Sequence, residues 1–348
     1  MIATRDTDWR TYARERGAGS LACQPAWLDL LRRVYGYEIV PLSVTDPGGA
    51  VRGLLPLCRL RSPLTGRRLV SVPFSDAAPL LADDDHAAAE LVDRAVALAR
   101  DEGAKYLELR SGPNALLAAR GDFAASELYV RWLIPLAGGA TAAWDALHKP
   151  VQRQVKKARK AGITVRAATT LDDMLAYHRL HLLTRCRKHG MPAQPWRYFR
   201  ALWQTFAADG SGTLQVLLAE HAGQVVAGMV LFGAGDTLRY AYGASDPRAL
   251  AHGPNNLLMW EAIERAAAAG YATLDMGRTA RDNEGLMQFK RGWGATLEPL
   301  TYYYFPALRG LATTSERSWK FRLATSCWRR LPLGVADTVG GRLYGHLG

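Results

Sequence analysis

The sequence predicts an α/β protein of two similar lobes in tandem, each a mixed, mostly antiparallel sheet flanked by helices, with a cleft between them. Three observations predict this class. The chain of 348 residues is long enough for two domains, a helix–strand segment occurs twice at a fixed offset, and each copy follows a β-rich stretch. The predicted boundaries are 1–145 for the first lobe, 146–308 for the second, and 309–348 for a basic tail.

The repeat relates residues 90–109 to residues 256–276 at an offset of 167. In both copies apolar residues recur at helical spacing, a glycine follows (Gly103 or Gly270), and a short alternating run reaches Glu108 or Asp275. Because glycine commonly ends a helix in the left-handed conformation, each copy predicts a helix, its cap and a strand. Duplication explains two such copies better than chance does.

The β-rich stretches lie at 38–74 and 213–245. Each contains three apolar runs separated by turn residues, a pattern typical of antiparallel strands. In the second lobe the predicted order continues with a helix, a strand, a second helix and a closing strand over 299–305.

The net charge of +12 comes from the second part of the chain. Residues 1–148 carry 17 basic and 18 acidic side chains, whereas residues 149–348 carry 27 and 14. The segment 149–162 is predicted as a basic helix with Arg153, Lys156, Lys157 and Lys160 on one face. Like charges at this spacing repel, so this basic stripe either meets an anionic partner or is solvated by counterions.

Several classes of protein are excluded by pattern. The charged N-terminal residues lack the apolar stretch of a secretory signal, and no apolar run could span a bilayer, which predicts a cytoplasmic protein. The four cysteines lie far apart, so we expect neither a disulfide partner nor a metal site. No Ser/His/Asp triad or H-E-x-x-H motif is present.

The tail from Arg309 onward carries seven basic and two acidic residues, interleaved with apolar side chains. Such a mixture suits peripheral contact with an anionic membrane at its inner face, or the tail folds back and buries its apolar residues on the second lobe. Pro332 and the Gly340–Gly341 pair are expected to break any long helix here. The apolar residues concerned are Trp319, Phe321, Trp328, Leu331, Leu333 and Tyr344.

Taken in order, several segments of the second half resemble the Fem-type (FemAB-like) branch of the GNAT acyltransferase superfamily. The tail is similar to that of a subgroup associated with exosortase and exopolysaccharide systems. The resemblance covers about 150–348 well and the first lobe more loosely. The segments are RQVKKARKAGITV (153–165), LTRCRKHGMPAQPWRYF (183–199), NNLLMWEAIERAAAAGYATLDMGRT (255–279) and EGLMQFKRGWGATLEPLTYYYF (284–305).

The resemblance implies tandem GNAT-like lobes, no bound cofactor, and a donor substrate that is aminoacyl-tRNA or acyl-CoA. The better-known Fem members transfer an amino acid from aminoacyl-tRNA to the amine of a phosphate-bearing cell-wall precursor. Coenzyme A-binding relatives usually carry R/Q-x-x-G-x-G/A at a helix N-terminus, where backbone amides bind the pyrophosphate. The corresponding loops here, 246–256 and 75–86, depart from that pattern, which disfavours coenzyme A.

Lys290 and Asp76 are the catalytic candidates. Phe289–Lys290 matches the Phe-Lys pair that the resemblance places at the substrate, and a cation beside Trp293 suits a phosphate or an oxyanion. The alternative for Lys290 is a surface position on an amphipathic helix. Asp76 follows a strand where the family often has an acidic residue, although alanines replace the usual glycine neighbours.

The substrate-binding candidates combine cations and aromatic rings. Arg278 follows a strand end, and Tyr240 and Tyr242 alternate on a strand, so both are expected on one face, lining a groove or packing the core. Arg185 ends a helix, where it either complements the helix dipole or faces the cleft. The full predicted set is Phe289, Arg278, Tyr240, Tyr242, Arg185, Trp293, Arg153 and Lys156.

These observations predict an N-acyltransferase or aminoacyltransferase that joins an activated donor to an amine on an anionic, nucleotide- or lipid-linked cell-envelope precursor. tRNA is then a candidate partner. Two alternatives stay open: an acyl-CoA-dependent N-acyltransferase of polysaccharide or secondary metabolism, and a non-catalytic binding module of an export system.

Overall fold

The computed structural model describes residues 6–63, 66–207, 211–307, 325–326 and 328–346. They form two compact units. The first comprises the described residues within Met1–Val130, Pro299–Thr313 and His346–Gly348, and the second those within Arg131–Glu298 and Thr314–Gly345. These units divide the chain differently from the predicted lobes, so the boundaries at 145 and 308 remain predictions, as does the cleft.

The first unit is a mixed sheet with helices packed on it. Its elements are α1 (Asp6–Arg16), α2 (Pro25–Tyr35), β1 (Glu38–Thr45), β2 (Val51–Ser62), β3 (Gly66–Val70), β4 (Leu81–Ala82), α3 (Asp85–Asp101), β5 (Tyr106–Leu109), α4 (Ala115–Ala118), and the parts of β6 (Ala124–Pro135) and β12 (Thr296–Phe305) that fall within it. The strands follow the order β1-β2-β3-β5-β12, with β4 beside β2. β3 and β5 are parallel, and the other pairs are antiparallel.

The second unit repeats this arrangement. Its elements are the remainder of β6, α5 (Gly139–Ala146), α6 (Lys149–Lys160), β7 (Thr164–Ala167), α7 (Leu171–Leu182), a π-helical segment (Leu183–His189), α8 (Trp196–Leu202), β8 (Leu214–His221), β9 (Gln224–Ala234), β10 (Thr237–Ser245), α9 (Pro254–Ala268), β11 (Thr273–Ala280), α10 (Glu284–Arg291) and α11 (Leu333–Tyr344). The strands follow the order β6-β11-β10-β9-β8-β7. β10 and β11 are parallel, like β3 and β5.

The predicted repeat is confirmed down to its hydrogen bonds. Helices α3 and α9 are each followed by a glycine with positive φ, Gly103 at 58° and Gly270 at 81°. Just beyond each glycine an amide donates back to an alanine carbonyl of the last helical turn. The parallel pairing then reaches Glu108 in the first unit and Asp275 in the second. The two copies are therefore one structural unit built twice.

The closing strand is a correction. Residues 299–305 were expected to complete the second lobe, but they belong to the first unit, where Tyr303 pairs with Leu109 of β5. Tyr303 and Phe305 are buried in the apolar core of that unit together with Phe123. The order of the strands in the sequence does not determine which strand each one pairs with. The apolar core that these aromatic rings fill determines the pairing of this strand.

Residues 325–326 and 328–345 of the tail belong to the second unit. Trp328, Leu331 and Leu333 pack against a small core that contains Cys186 and Ala193, whereas Trp319 and Phe321 lie outside the described residues. The expected helix break is confirmed at Pro332, which separates residues 328–330 from α11, and is wrong at Gly340 and Gly341, through which α11 runs without interruption. Along the described ranges, no helix is both long enough and apolar enough to cross a membrane.

Candidate functional site

The candidate site forms where two parallel strands of the second unit separate. β10 and β11 pair from Thr237 opposite Thr273 to Arg239 opposite Asp275. Within the described chain no further pair joins them, although β10 continues to Ser245. A bulge between Tyr240 and Tyr242 also changes the register of β10 on β9. Side chains from the strand ends and from α7 and α8 gather at this point.

An aromatic cluster lies on this part of the sheet, formed by Tyr177, His181, Tyr198, Phe199 and Tyr242. Ring centroids are 4.9 Å apart for His181 and Phe199, and 5.9 Å apart for Phe199 and Tyr242. The hydroxyls of Tyr198 and Tyr242 are 2.8 Å apart and share a hydrogen bond. Polar tips on an otherwise apolar cluster give the site donors and acceptors in a setting from which water is largely removed.

Tyr240 and Tyr242 differ in position, because a β-bulge lies between them. The bulge interrupts the simple alternation on which the expectation of one shared face rested. The Tyr240 ring folds over Gly243, where a Cβ would lie 1.9 Å from its hydroxyl oxygen. Burial raises the pKa of Tyr177, and the phenols of Tyr240 and Tyr242 raise it further. Burial also raises the pKa of Tyr240 to about 12, so the Tyr177 and Tyr240 phenols stay protonated at neutral pH.

Two arginines are the candidate cations of this part of the second unit. Arg185 lies in the π-helical segment, half-buried, and its Nε donates to the Pro192 carbonyl at 3.2 Å. Of the carboxylates that the structure describes, none is within ion-pairing distance of Arg185. Arg278 lies exposed on β11, past the point where the strands separate. Both guanidinium groups lower the pKa of the Tyr344 hydroxyl, which burial raises.

His181 is a buried, neutral member of the site. Its Nε2 is 2.7 Å from Oε1 of Gln194. Burial, reinforced by the positive charge of Arg185, lowers the pKa of His181 to about 3. At neutral pH the ring therefore carries no charge, which leaves Arg185 as the cation of the helical side of the site.

Lys290 is buried rather than on a surface. Only 4% of its area is exposed, and its Nζ donates to the carbonyls of Met276 and Gly277, both at 2.7 Å, and of Arg278 at 3.3 Å. The ammonium thus secures the end of β11 that carries Arg278. This geometry supports a positioning role for Lys290, and a direct catalytic role remains a prediction.

The aromatic neighbours of Lys290 differ in exposure. Phe289 is 46% exposed and available to a ligand, whereas Trp293 is completely buried. Their rings meet edge to face, with centroids 6.2 Å apart. Trp293 therefore supports Phe289 from below, and direct substrate contact by Trp293 would require the ring to move.

Asp76 belongs to the first unit, in the half-buried loop after β3. Its carbonyl accepts a hydrogen bond from the Tyr302 hydroxyl at 2.8 Å. Nearby, Arg110 donates to the Ser75 carbonyl at 3.0 Å and to Glu108 at 2.6 Å, a buried ion pair at the place equivalent to Asp275. These bonds fix the loop, and the catalytic role of the Asp76 carboxylate remains a prediction.

The basic stripe is exposed, as the sequence indicated. Helix α6 buries Gln152, Val155 and Ala158 and exposes the stripe. In the described ranges no carboxylate pairs with Arg153 or Lys156, and Lys156 lies over the Trp144 ring at 5.8 Å. By contrast, Arg159 of the same helix pairs with Glu261 and Glu264. Arg153 and Lys156 of the stripe therefore keep an uncompensated charge within the described ranges, whereas the charge of Arg159 is neutralised by two glutamates of α9.

The helix N-termini that would hold a coenzyme A pyrophosphate fit that group poorly. At α3 the Asp84 carboxylate already accepts the Ala87 amide at 2.8 Å, so an anion would meet a negative charge. At α9 the first residue, Pro254, has no N–H, and the preceding Gly253 lies against α6. A Cβ on Gly253 would be 3.4 Å from the Gln154 carbonyl. Each end therefore lacks part of the set of amides that binds a pyrophosphate in such a site.

No group of His, Cys, Asp and Glu suited to a metal ion occurs among the residues that the structure describes. The thiols of Cys23, Cys58 and Cys186 are free and buried. Burial raises the pKa of the Cys23 thiol to about 11 and that of Cys58 to about 12. These cysteines are therefore poor nucleophiles at neutral pH.

Of the predicted residues Arg185, Tyr240, Tyr242 and Arg278, the structure places Tyr242 in the aromatic cluster, Arg185 four residues after His181 of that cluster, and Arg278 at the end of β11. Other residues near this site were not predicted from the sequence, because the contacts between their polar atoms form only in the folded protein. A local signal was present, since Tyr177, His181 and Arg185 recur every four residues along one helical face. For the fifth phenol, Tyr344, no local signal exists. The missed residues are Tyr177, His181, Tyr198 and Tyr344.

Comparison with known proteins agrees with this architecture. The family described as "Acetyltransferase (GNAT) domain" matches residues 146–291. The crystal structure of FemX has 17% identity and a TM-score of 0.68, covering 88% of this chain and 96% of that one. No curated protein sequence matches the chain significantly.

Two further solved structures are similar over most of the chain. One is the C-terminal domain (DUF2156) of a protein assigned as a lysylphosphatidylglycerol synthetase from Agrobacterium fabrum, with 15% identity, a TM-score of 0.57, and coverage of 86% and 91%. The other is a tandem GNAT protein from the clavulanic acid biosynthesis pathway, with 17% identity, a TM-score of 0.50, and coverage of 87% and 96%. At these identities the likenesses establish the fold. The predicted tandem GNAT-like fold is confirmed, and the predicted resemblance to Fem-type proteins is borne out as a likeness of fold to FemX.

Proposed function

We propose that this chain, an acyltransferase of the GNAT superfamily by its domain at residues 146–291, transfers an aminoacyl group from aminoacyl-tRNA to an amine. The acceptor is an anionic, nucleotide- or lipid-linked precursor of the cell envelope. The observation that carries this proposal is the arginine–tyrosine site, which we define as the half-buried Arg185, Arg278 at the end of β11, and the Tyr198 and Tyr242 hydroxyls, which lie 2.8 Å apart in the aromatic cluster.

This site has the chemistry of an anion receptor. Arg185 has no carboxylate partner among the described residues, so its charge is available to a ligand. A guanidinium group binds phosphate with two parallel hydrogen bonds, and phenol hydroxyls supply further donors. The low-polarity surroundings of the aromatic cluster strengthen each of these interactions. The site therefore suits the phosphate or carboxylate of an acceptor better than a neutral substrate.

The charge distribution and the helix N-termini favour aminoacyl-tRNA as the donor. The basic stripe offers exposed, uncompensated cations of the kind that contact the phosphates of tRNA. The α3 and α9 N-termini are poor sites for the pyrophosphate of coenzyme A. Among the structural relatives, the protein assigned as a lysylphosphatidylglycerol synthetase bears a name that denotes lysyl transfer. Together these features favour an aminoacyl ester over a thioester donor.

The reaction needs little from the enzyme beyond orientation and electrostatics. The neutral amine nitrogen attacks the ester carbonyl carbon, the C–N bond forms, and the C–O bond to the terminal ribose of the tRNA breaks. The ribose oxygen leaves with the proton that the amine loses. Because the ester is already activated, holding donor and acceptor together provides much of the rate. In this scheme Lys290 positions Arg278, and Arg278 and Arg185 hold the acceptor.

A transfer assay tests the donor and the acceptor together. The purified chain is incubated with radiolabelled aminoacyl-tRNA or radiolabelled acetyl-CoA, each with nucleotide-linked and lipid-linked amines. We expect label to reach the acceptor amine from aminoacyl-tRNA. Transfer from acetyl-CoA alone would refute the proposed donor and favour the acyl-CoA-dependent alternative, and transfer from neither would favour a binding module.

A pair of variants tests the site. Arg185→Gln removes the proposed receptor cation, and Arg179→Gln removes an exposed arginine of α7 with the same change in net charge. Loss of a charge-assisted contact is expected to raise KM for the acceptor about 10- to 100-fold in the first variant only. An equal effect of both substitutions would show that the arginine–tyrosine site does not bind the acceptor.

A further inference from the structure

The described part of the tail packs its larger apolar residues against protein and leaves its cations exposed. Trp328 and Leu333 pack against a small core of the second unit. Arg329 and Arg330, which lie between them in the sequence, are exposed, and so is Arg342 of α11. Packing of the tail on the second unit and display of its cations, which the sequence offered as alternatives, are therefore compatible.

Cations of the π-helical segment lie beside those of the tail. Arg187 Nη1 donates to the Arg329 carbonyl, and Arg329 Nη2 donates to the Lys188 carbonyl at 3.1 Å. Gly190, with a φ of 65°, lies so close that a Cβ on it would be 3.1 Å from Arg329 Cγ. Because the acceptors are backbone carbonyls and not carboxylates, these hydrogen bonds fix the two arginines without neutralising their charge.

Carboxylates are scarce around these cations. Residues 174–208 carry six arginines and lysines and no aspartate or glutamate. In the described tail the one acid, Asp337, lies 3.7 Å from His178 Nε2. Within the described ranges no carboxylate is at ion-pairing distance from the five cations that we name the C-terminal basic face. They are Arg187, Lys188, Arg329, Arg330 and Arg342. Their charge is therefore available to an external anion.

Helix α11 adds apolar side chains beside these cations. It packs against the segment that precedes it, since a Cβ on Gly340 would lie 3.3 Å from Trp328 Cζ2. Val335, Val339 and Arg342 follow one another at i, i+4 and i+7 and so share one side of the helix. On that side the two valines are 45% and 37% exposed. The outward side of α11 therefore combines aliphatic groups with a cation.

We infer that the C-terminal basic face and the two exposed valines bind the surface of an anionic lipid bilayer. There the valines reach the boundary of the acyl chains while the cations meet phosphate headgroups. The phosphates of a nucleic acid would also attract the cations, but they offer nothing to exposed valines, so the bilayer accounts for both features. None of these residues belongs to the arginine–tyrosine site, and the inference is independent of the proposed donor and acceptor.

Co-sedimentation of the full chain with vesicles tests the inference. Vesicles of phosphatidylcholine alone are compared with vesicles of phosphatidylcholine and phosphatidylglycerol in equal parts, and we expect binding to the second only, weakened by salt. Arg330→Gln with Arg342→Gln should lower the partition coefficient about 5-fold for each arginine, or about 25-fold together. Arg265→Gln with Arg291→Gln is the matched control, because it removes the same charge from exposed positions of α9 and α10 and should leave binding unchanged.

Val335→Ser with Val339→Ser distinguishes a bilayer from a nucleic acid as the partner. We expect this variant to bind anionic vesicles about threefold or more weakly and to bind tRNA as the wild type does. Equal vesicle binding by the arginine variant and its control overturns the inference, as does a wild type that binds no vesicles or needs no anionic lipid. Loss of tRNA binding by the arginine variant without loss of vesicle binding assigns the face to nucleic acid and also overturns it. Circular dichroism of each variant confirms that the fold is retained.

Discussion

Replacing Lys290 with methionine should release the end of β11. The substitution keeps a long apolar stem and removes the ammonium that donates to the Met276 and Gly277 carbonyls at 2.7 Å and to the Arg278 carbonyl at 3.3 Å. A buried carbonyl left without a donor costs about 1–3 kcal/mol, so the two short bonds account for about 2–6 kcal/mol. Removing the ammonium also removes the desolvation cost of a buried charge, which offsets part of this loss of stability. We expect a net loss of about 2–4 kcal/mol.

Hydrogen exchange measured by mass spectrometry gives a local readout for this prediction. A loss of about 2–4 kcal/mol in the free energy of local opening corresponds to about 30- to 1,000-fold faster amide exchange in peptides that span 273–280. Lys149→Met, at an exposed position of α6, is the control and should leave their exchange unchanged. Unchanged exchange in Lys290→Met together with lost transfer activity would refute the reasoning, because the ammonium would then serve the substrate rather than the strand.

Two further predictions concern pH and salt. His181, whose folded pKa of about 3 is below the ordinary 6.5, contributes its full stability above pH 6.5 and loses it as the pH falls toward 3. About 3 kcal/mol of unfolding free energy should therefore be lost between pH 7.5 and 4.5 in urea titrations, and His181→Gln should abolish this part of the dependence. Changing Arg153, Lys156 and Lys160 to Gln should reduce the slope of log K against log salt for tRNA by about 2–3. Arg159→Gln is its control, and an unchanged slope in the triple variant would mean that the stripe is only solvated.

The repeat was predictable because its signals are local. A helix, a glycine cap and a short strand are each encoded within a few residues, and two copies at one offset reinforce each other. The partner of the last strand was not predictable in the same way. Tyr303 and Phe305 suit either core by their composition, and only the packing with Phe123 shows which unit they complete.

The site was predictable as a set of residues but not as an arrangement. Arg185, Tyr242 and Arg278 stood out because cations and aromatic rings follow strand or helix ends, yet their meeting depends on the separation of β10 and β11. Lys290 looked like a surface or catalytic lysine, and its three carbonyl acceptors could not be foreseen from the sequence. The unbroken course of α11 could not be foreseen because glycine pairs usually interrupt helices, whereas here Gly340 and Gly341 permit a close contact with Ala193 and Pro195.

The occupied helix N-termini lead to a prediction about coenzyme A. The Asp84 carboxylate holds the start of α3, and Pro254 together with the packing of Gly253 on α6 closes the start of α9. A domain that binds acetyl-CoA with a Kd of about 10 μM would gain about 2.7 kcal/mol at 1 mM ligand, or a rise in Tm of about 5–10 °C. We expect a rise of less than about 1 °C in differential scanning fluorimetry. A shift of several degrees would contradict this, because the pyrophosphate would then bind despite Asp84 and Pro254, and the donor would be a thioester.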